Sequence, residues 1–256
     1  MNLLPLFRKP LIIILLCAST SAYSQNFTIT FGEELNLSDI TSEYYGKSHP
    51  VKWVNVNTYA DTWSKQDDEL ICTGHPIGVM RSEKQYENFI LHIEWKFMER
   101  GGNSGVFVWS NANPPEGRRL PDGVEVQMLE LDYFEVNPGT SIPESNHEYY
   151  VHGHLFGVGG VETIPDNRMG DSNRSNSLEN RCYGKGIWNT YQVVAIDGVI
   201  KLSVNGKFVN GVREASQKKG YICLESEGAE IHFRNIRIIE LPPGVISREQ
   251  IAPLIK

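Results

Sequence analysis

The sequence predicts an all-β sandwich of antiparallel strands. Three observations carry that prediction. Apolar and polar residues alternate with a period of two through much of the chain. Tight-turn dipeptides separate the alternating runs. No long amphipathic helical pattern interrupts them. Many short strands joined by hairpin signals, in a chain of 256 residues, fit one large sandwich or jelly-roll domain.

The N-terminus reads differently. Arg8 and Lys9 precede the apolar run "LIIILLCA", and small residues follow at Ala22 and Ser24. This is the layout of a cleaved secretory signal peptide over residues 1–24, too short to span a membrane. Residues 25–256 are then the mature, exported domain. Cleavage takes the 24 basic residues to 22 against 31 acidic ones, a net charge near −9. An acidic chain of this kind argues against nucleic acid or anionic lipid as a partner. Cys72, Cys182 and Cys223 remain, matching no zinc motif; Cys72 and Cys223 could pair across sheets or stay as buried thiols.

The first clear strand is "NFILHIEWKF", with Phe89, Leu91, Ile93, Trp95 and Phe97 on one face. In "GGNSGVFVWS", Val106 and Val108 take the core side, which sends Asn103, Gly105, Phe107 and Trp109 the other way. In "VEVQML", Val124, Val126 and Met128 are core, and Glu125 and Gln127 face outward. "TYQVVAI", "VIKLSVNG" and "KFVNGV" form a meander turned at Asp197-Gly198 and Asn205-Gly206. "GYICLE" puts Ile222 and Leu224 inward and Tyr221, Cys223 and Glu225 outward, and "EIHFRNIRIIEL" closes the domain. Two stretches are irregular: Asn111–Gly123, rich in Pro, Gly and Arg, and the longer polar loop Gly157–Gly186.

These parities suggest a polar, aromatic-lined groove if the strands are neighbours. Asn103, Glu125, Gln127 and Glu225 would be its polar groups, with Trp109 as a floor for a sugar ring and Gly105 leaving room for a ligand. Trp109 and Phe107 could equally pack under a loop. "YYVHGHLFGV" adds His152 and His154 at i and i+2, on one face of a strand, either a proton-transfer pair or two ligands of a divalent metal ion. Arg81 could polarise a substrate oxygen or form a surface ion pair.

The ordered set "GVMRSEKQYENFILHIEWKF", "GGNSGVFVW", "GVEVQML", "VHGHLF", "GIWNTYQVV", "IKLSVNGKFVNG" and "KGYICLESEGAEIHFRNIRIIEL", from Trp63 to Leu241, resembles the 3-keto-disaccharide hydrolase family. The resemblance implies a concanavalin A-like jelly roll of two antiparallel sheets. It also implies an exported enzyme acting on glycosides oxidised at carbon 3, a substrate prepared by an oxidoreductase. One departure is plain: relatives resemble "THGDIF" where this chain has "VHGHLF", so His154 replaces an acid. Glu125 or His152 would be the base, Glu225 the acid, and Arg81, Asn103 or a bound cation would stabilise the enolate. Gln127, Trp109 and His154 would hold the sugar. The rival readings are a conventional glycosidase using Glu125 and Glu225 on unmodified glycans, and a non-catalytic carbohydrate-binding module.

Overall fold

The computed structural model describes residues 29–31, 37–44, 46–138, 150–168, 170 and 172–242. The expected signal segment, residues 1–24, lies outside the described residues. Among those described, no helix is long and apolar enough to cross a membrane.

In chain order the strands are β1 (Ile29–Phe31), β2 (Thr41–Tyr44), β3 (Lys47–Pro50), β4 (Trp53–Val56), β5 (Trp63–Gln66) and β6 (Glu69–Cys72). There follow β7 (Gly78–Ser82), β8 (Phe89–Phe97), β9 (Asn103–Ser110), β10 (Gly123–Leu129), β11 (Tyr150–Val158) and β12 (Ile164–Pro165). The last are β13 (Ser175–Ser177), β14 (Asn189–Ile196), β15 (Val199–Val204), β16 (Lys207–Arg213), β17 (Tyr221–Ser226) and β18 (Ile231–Glu240). The one α-helix among the described residues, α1 (Tyr133–Val136), is a single turn.

The strands form two sheets. The first runs β1-β4-β7-β17-β9-β10-β11-β13, and the second runs β12-β16-β15-β14-β8-β18-β2-β3, with β6 also on β18 and β5 on β6. All pairings are antiparallel except β18 with β2. This is a jelly-roll sandwich. Its hairpins form where the dipeptides predicted: Asp197 and Gly198 have φ 49° and 86°, and Asn205 and Gly206 have φ 46° and 81°. Positive φ at both central residues matches the right-handed twist of the flanking strands.

Alternation fills the space between the sheets as expected. Phe89, Leu91, Ile93, Trp95 and Phe97 of β8 are all buried there, with Val106, Val108, Val124, Val126, Met128, Ile222 and Leu224 of the facing sheet. Trp95 packs edge-on against Tyr191 at 5.3 Å and Phe97 at 5.6 Å. The far face of the first sheet holds a smaller apolar cluster of Val54, Val56, Val79, Phe107 and Cys223. Leu120, from the Asn111–Gly123 loop, packs against it. Phe107 therefore does point away from the main core, but onto a loop.

Trp109 departs from the parity expectation. It is fully buried in the main core, and its indole N–H donates to the Glu87 carbonyl at 2.7 Å. The reason is a β-bulge. Opposite β17, Cys223 pairs with Phe107 but Tyr221 pairs with Ser110, so β9 carries one extra residue. Trp109 itself has φ 52°. The bulge resets the alternation, and the side chain that should have followed Phe107 outward turns inward instead. The three cysteines are free and buried, Cys72 in the main core and Cys223 in the outer cluster, so the two do not form the cross-sheet disulfide.

Candidate active site

Strands β17, β9, β10 and β11 are consecutive neighbours, so the outward faces expected to make a groove do adjoin. Register places the polar groups. Gln127 pairs with Gly105, and Glu125 pairs with Phe107 on one side and Phe156 on the other. Glu225 follows Leu224, the partner of Val106, and so lies across from Gly105.

Gly105 is the hub of this arrangement. A Cβ built there would lie 2.8 Å from Glu225 Oε2 and 3.2 Å from both Glu125 Cγ and Glu125 Oε1. The room expected for a ligand is taken by two carboxyls that lean over the bare backbone from both sides. Glu125 is 7% exposed and Glu225 is 0% exposed. Neither oxygen of Glu225 has a hydrogen-bond partner.

A third carboxyl joins them. Glu227, just past the end of β17, is half-buried and accepts a hydrogen bond from Asn103 Nδ2 at 2.5 Å. Asn103 Oδ1 accepts in turn from Gln127 Nε2 at 2.9 Å. Gln127 Oε1 accepts from Arg174 Nη1 at 3.4 Å. The Arg174 guanidinium lies on the Phe156 ring, 3.5 Å from its centroid. A polar chain thus crosses β9 and β10 from Glu227 to Arg174, beside the Glu125–Glu225 pair.

Burial and mutual repulsion hold protons on these acids. Burial first, then the Glu227 charge, pushes Glu125 up from 4.5 to about 8, against the pull of Arg174. Burial raises Glu227 to about 7, also opposed by Arg174. Glu225 is pushed well above the carboxylate range by burial, then by Glu125 and Glu227. Like charges this close cannot all ionise in a dry site. The folded chain therefore keeps protons that the unfolded chain has already released, and its stability declines as pH rises from about 4.5 to about 8. A Glu125→Gln protein loses the Glu125 share of this penalty. It should melt above the native protein at pH 8, with the gap closing toward pH 4.5, in melting curves taken across that range.

The remaining expected residues lie on β7 and β11. Arg81 stacks on Tyr221 at 4.4 Å and donates to the Ser82 carbonyl at 2.9 Å. Its charge is felt by the Cys223 thiol, whereas Glu225 responds to the other two carboxyls. His152 is buried, and burial holds its imidazole neutral, down to about 4, although a hydrogen bond with Asn180 opposes this. His154 is buried and, one step beyond the Val126–Leu155 pair, lies across from Gln127. Gly153 between the histidines has φ 75°, and a Cβ there would meet Leu202 and Val204 of the main core. No three His, Cys, Asp or Glu side chains among the described residues are placed to share a metal ion. A cavity of about 210 Å³, with Lys84, Glu87, Asn88 and Lys219 in its lining, shares no residue with the carboxyl cluster.

Glu227 and Arg174 were missing from the sequence reading. For Glu227 the signal was present: "ESE" puts it two residues from Glu225, on the same strand face. Arg174 sits in the polar loop Gly157–Gly186, where no periodicity points to it.

A profile described as the 3-keto-alpha-glucoside-1,2-lyase-like domain matches residues 41–239. The chain belongs to this family. Membership in the 3-keto-α-glucoside-1,2-lyase-like family makes it a carbohydrate-active protein. No curated protein matches it. Two solved structures from Parabacteroides distasonis, both provisionally named glycosyl hydrolases, share the fold. One is 22% identical with a TM-score of 0.50, covering 72% of this chain and 92% of its own. The other is 18% identical with a TM-score of 0.50, covering 71% and 84%.

Proposed function

We propose that this 3-keto-α-glucoside-1,2-lyase-like protein is an exported enzyme that cleaves glycosides oxidised at carbon 3, by elimination and then hydration. The observation that carries the reading is the Glu125–Glu225 pair over Gly105 with the Glu227 charge acting on both, three carboxyls that differ in exposure and in proton affinity.

A ketone at carbon 3 acidifies the hydrogen on carbon 2. A base removes that proton, the electron pair becomes an enolate, and the aglycone leaves carbon 1 with a proton on its oxygen. The product is an enone. Water then adds at carbon 1 while a proton returns to carbon 2, giving net hydrolysis. The chemistry needs a base that is ionised and an acid that is protonated at the working pH.

Glu227 fits the base. It is the most accessible of the three, Asn103 donates to it, and its proton affinity is the lowest of the set. Glu125, next to it and still protonated at neutral pH, fits the acid for the leaving oxygen. Glu225 stays protonated behind them, covered by protein. This moves the base from Glu125 or His152 to Glu227, and moves the acid from Glu225 to Glu125. A conventional retaining glycosidase would need a charged carboxylate presented to the anomeric carbon. Glu225, fully buried and protonated, is poorly suited to that role.

The test compares a 3-keto-α-glucoside with its unoxidised parent. Purified protein should cleave the first and leave the second intact, with the enone visible by ultraviolet absorbance or mass. Comparable cleavage of the parent would end the elimination reading. Binding of either sugar without turnover would favour a carbohydrate-binding module.

A further inference from the structure

Elimination from a 3-keto sugar leaves one role unassigned. The oxygen on carbon 3 gains negative charge as the carbon 2 proton departs, and a fixed donor facing it lowers the barrier. Arg81 is engaged elsewhere, and Asn103 is already committed to Glu227 and Gln127. Resting on the reading above, we propose that Arg174 is a further catalytic residue, the cation that receives the carbon 3 oxygen of the substrate.

Three features carry this. First, the guanidinium is held flat on Phe156, at 3.5 Å, and steered by Gln127 Oε1 at 3.4 Å. Stacking and a single long hydrogen bond fix its plane while leaving most of its five N–H donors uncommitted. Second, Phe156 is the cross-strand partner of Glu125, so the cation stands directly beside the carboxyl cluster. Third, Arg174 acts on Glu125 and Glu227 through charge, but among the described residues it forms no ion pair with either. A half-buried guanidinium beside three acids would ordinarily close onto one of them. Here Gln127 and Asn103 link it to Glu227 through three hydrogen bonds, and a sugar carbonyl would bind on the guanidinium beside that chain. Base and cation then face adjacent carbons, with Glu227 toward carbon 2 and Arg174 toward carbon 3.

The experiment uses the full chain and p-nitrophenyl 3-keto-α-D-glucopyranoside as probe. The native protein, Arg174→Gln, Arg174→Lys and Arg174→Gly are compared for kcat, for KM and for exchange of the carbon 2 hydrogen in D2O. Arg174→Gln should lower kcat about 100-fold or more, slow carbon 2 exchange in parallel and leave KM within a few fold. Millimolar guanidinium should restore part of the Arg174→Gly rate. Arg174→Lys, which keeps the charge without the fork, should fall between. A kcat for Arg174→Gln within threefold of native would overturn the assignment while leaving the elimination reading standing. So would a loss confined to KM. If native protein neither cleaves the probe nor exchanges its carbon 2 hydrogen, the functional reading itself fails. Should Arg174→Gln not fold, Arg174→Lys decides: a lower kcat at unchanged KM supports the role, and an unchanged kcat removes it.

Discussion

A Glu227→Gln protein will still bind a 3-keto-glucoside but will turn it over about a thousand-fold more slowly than the native chain, the usual scale for loss of a general base. The substitution keeps the side-chain volume and one oxygen near Asn103, which now donates 2.5 Å to Glu227. What it removes is the group of the trio that titrates closest to neutrality, at about 7. Glu225→Gln is the internal comparison. That carboxyl is fully buried and already protonated, so a neutral isostere changes little in charge. Its kcat should stay within about tenfold of native, below the range for a lost proton-transfer group. Steady-state kinetics on both variants decide the matter. If Glu225→Gln is the dead variant and Glu227→Gln the active one, the roles drawn here are reversed, and a buried acid acts directly.

The second large effect is on stability. Trp109→Ala should cost about 3–5 kcal/mol, as for other large aromatic truncations in a close-packed core. The indole has no exposed surface, belongs to the inter-sheet cluster and donates to the Glu87 carbonyl. Truncation leaves a cavity and an acceptor without its donor. Urea unfolding of the two proteins measures the difference directly. A variant as stable as native but unable to hold sugar would restore Trp109 to the binding face and contradict the bulge.

These two residues also mark the limits of reading this chain as text. Period-two alternation was enough to assign the core faces of β8, β10 and β17, because packing between two sheets leaves each strand only two phases. It placed Glu125, Gln127 and Glu225 correctly on the far face of neighbouring strands. It failed at Trp109, since an added residue with positive φ is a local backbone event that hydrophobicity does not announce in a run of "VFVWS". Arg174 was invisible for another reason. Its position depends on how an irregular loop returns to β11, which tertiary contacts decide and local pattern does not. Glu227 was legible and was passed over: the same-face rule used for Glu125 and Gln127 reaches it from Glu225.

Gly105 has a consequence for how reproducible the site is from one molecule to the next. Flexible acids at the ends of long side chains usually sample several rotamers, and their separation fluctuates accordingly. Here Glu125 and Glu225 come from strands on either side of β9 and close over a position with no side chain. Their spacing is tied to the interval between hydrogen-bonded strands, about 4.8 Å per step. The electrostatic tension between them is therefore built into the sheet, as a fixed dimension of the scaffold. A single methyl group at 105 would meet the Glu225 carboxyl at 2.8 Å and Glu125 at 3.2 Å, so an alanine there must push both carboxyls aside.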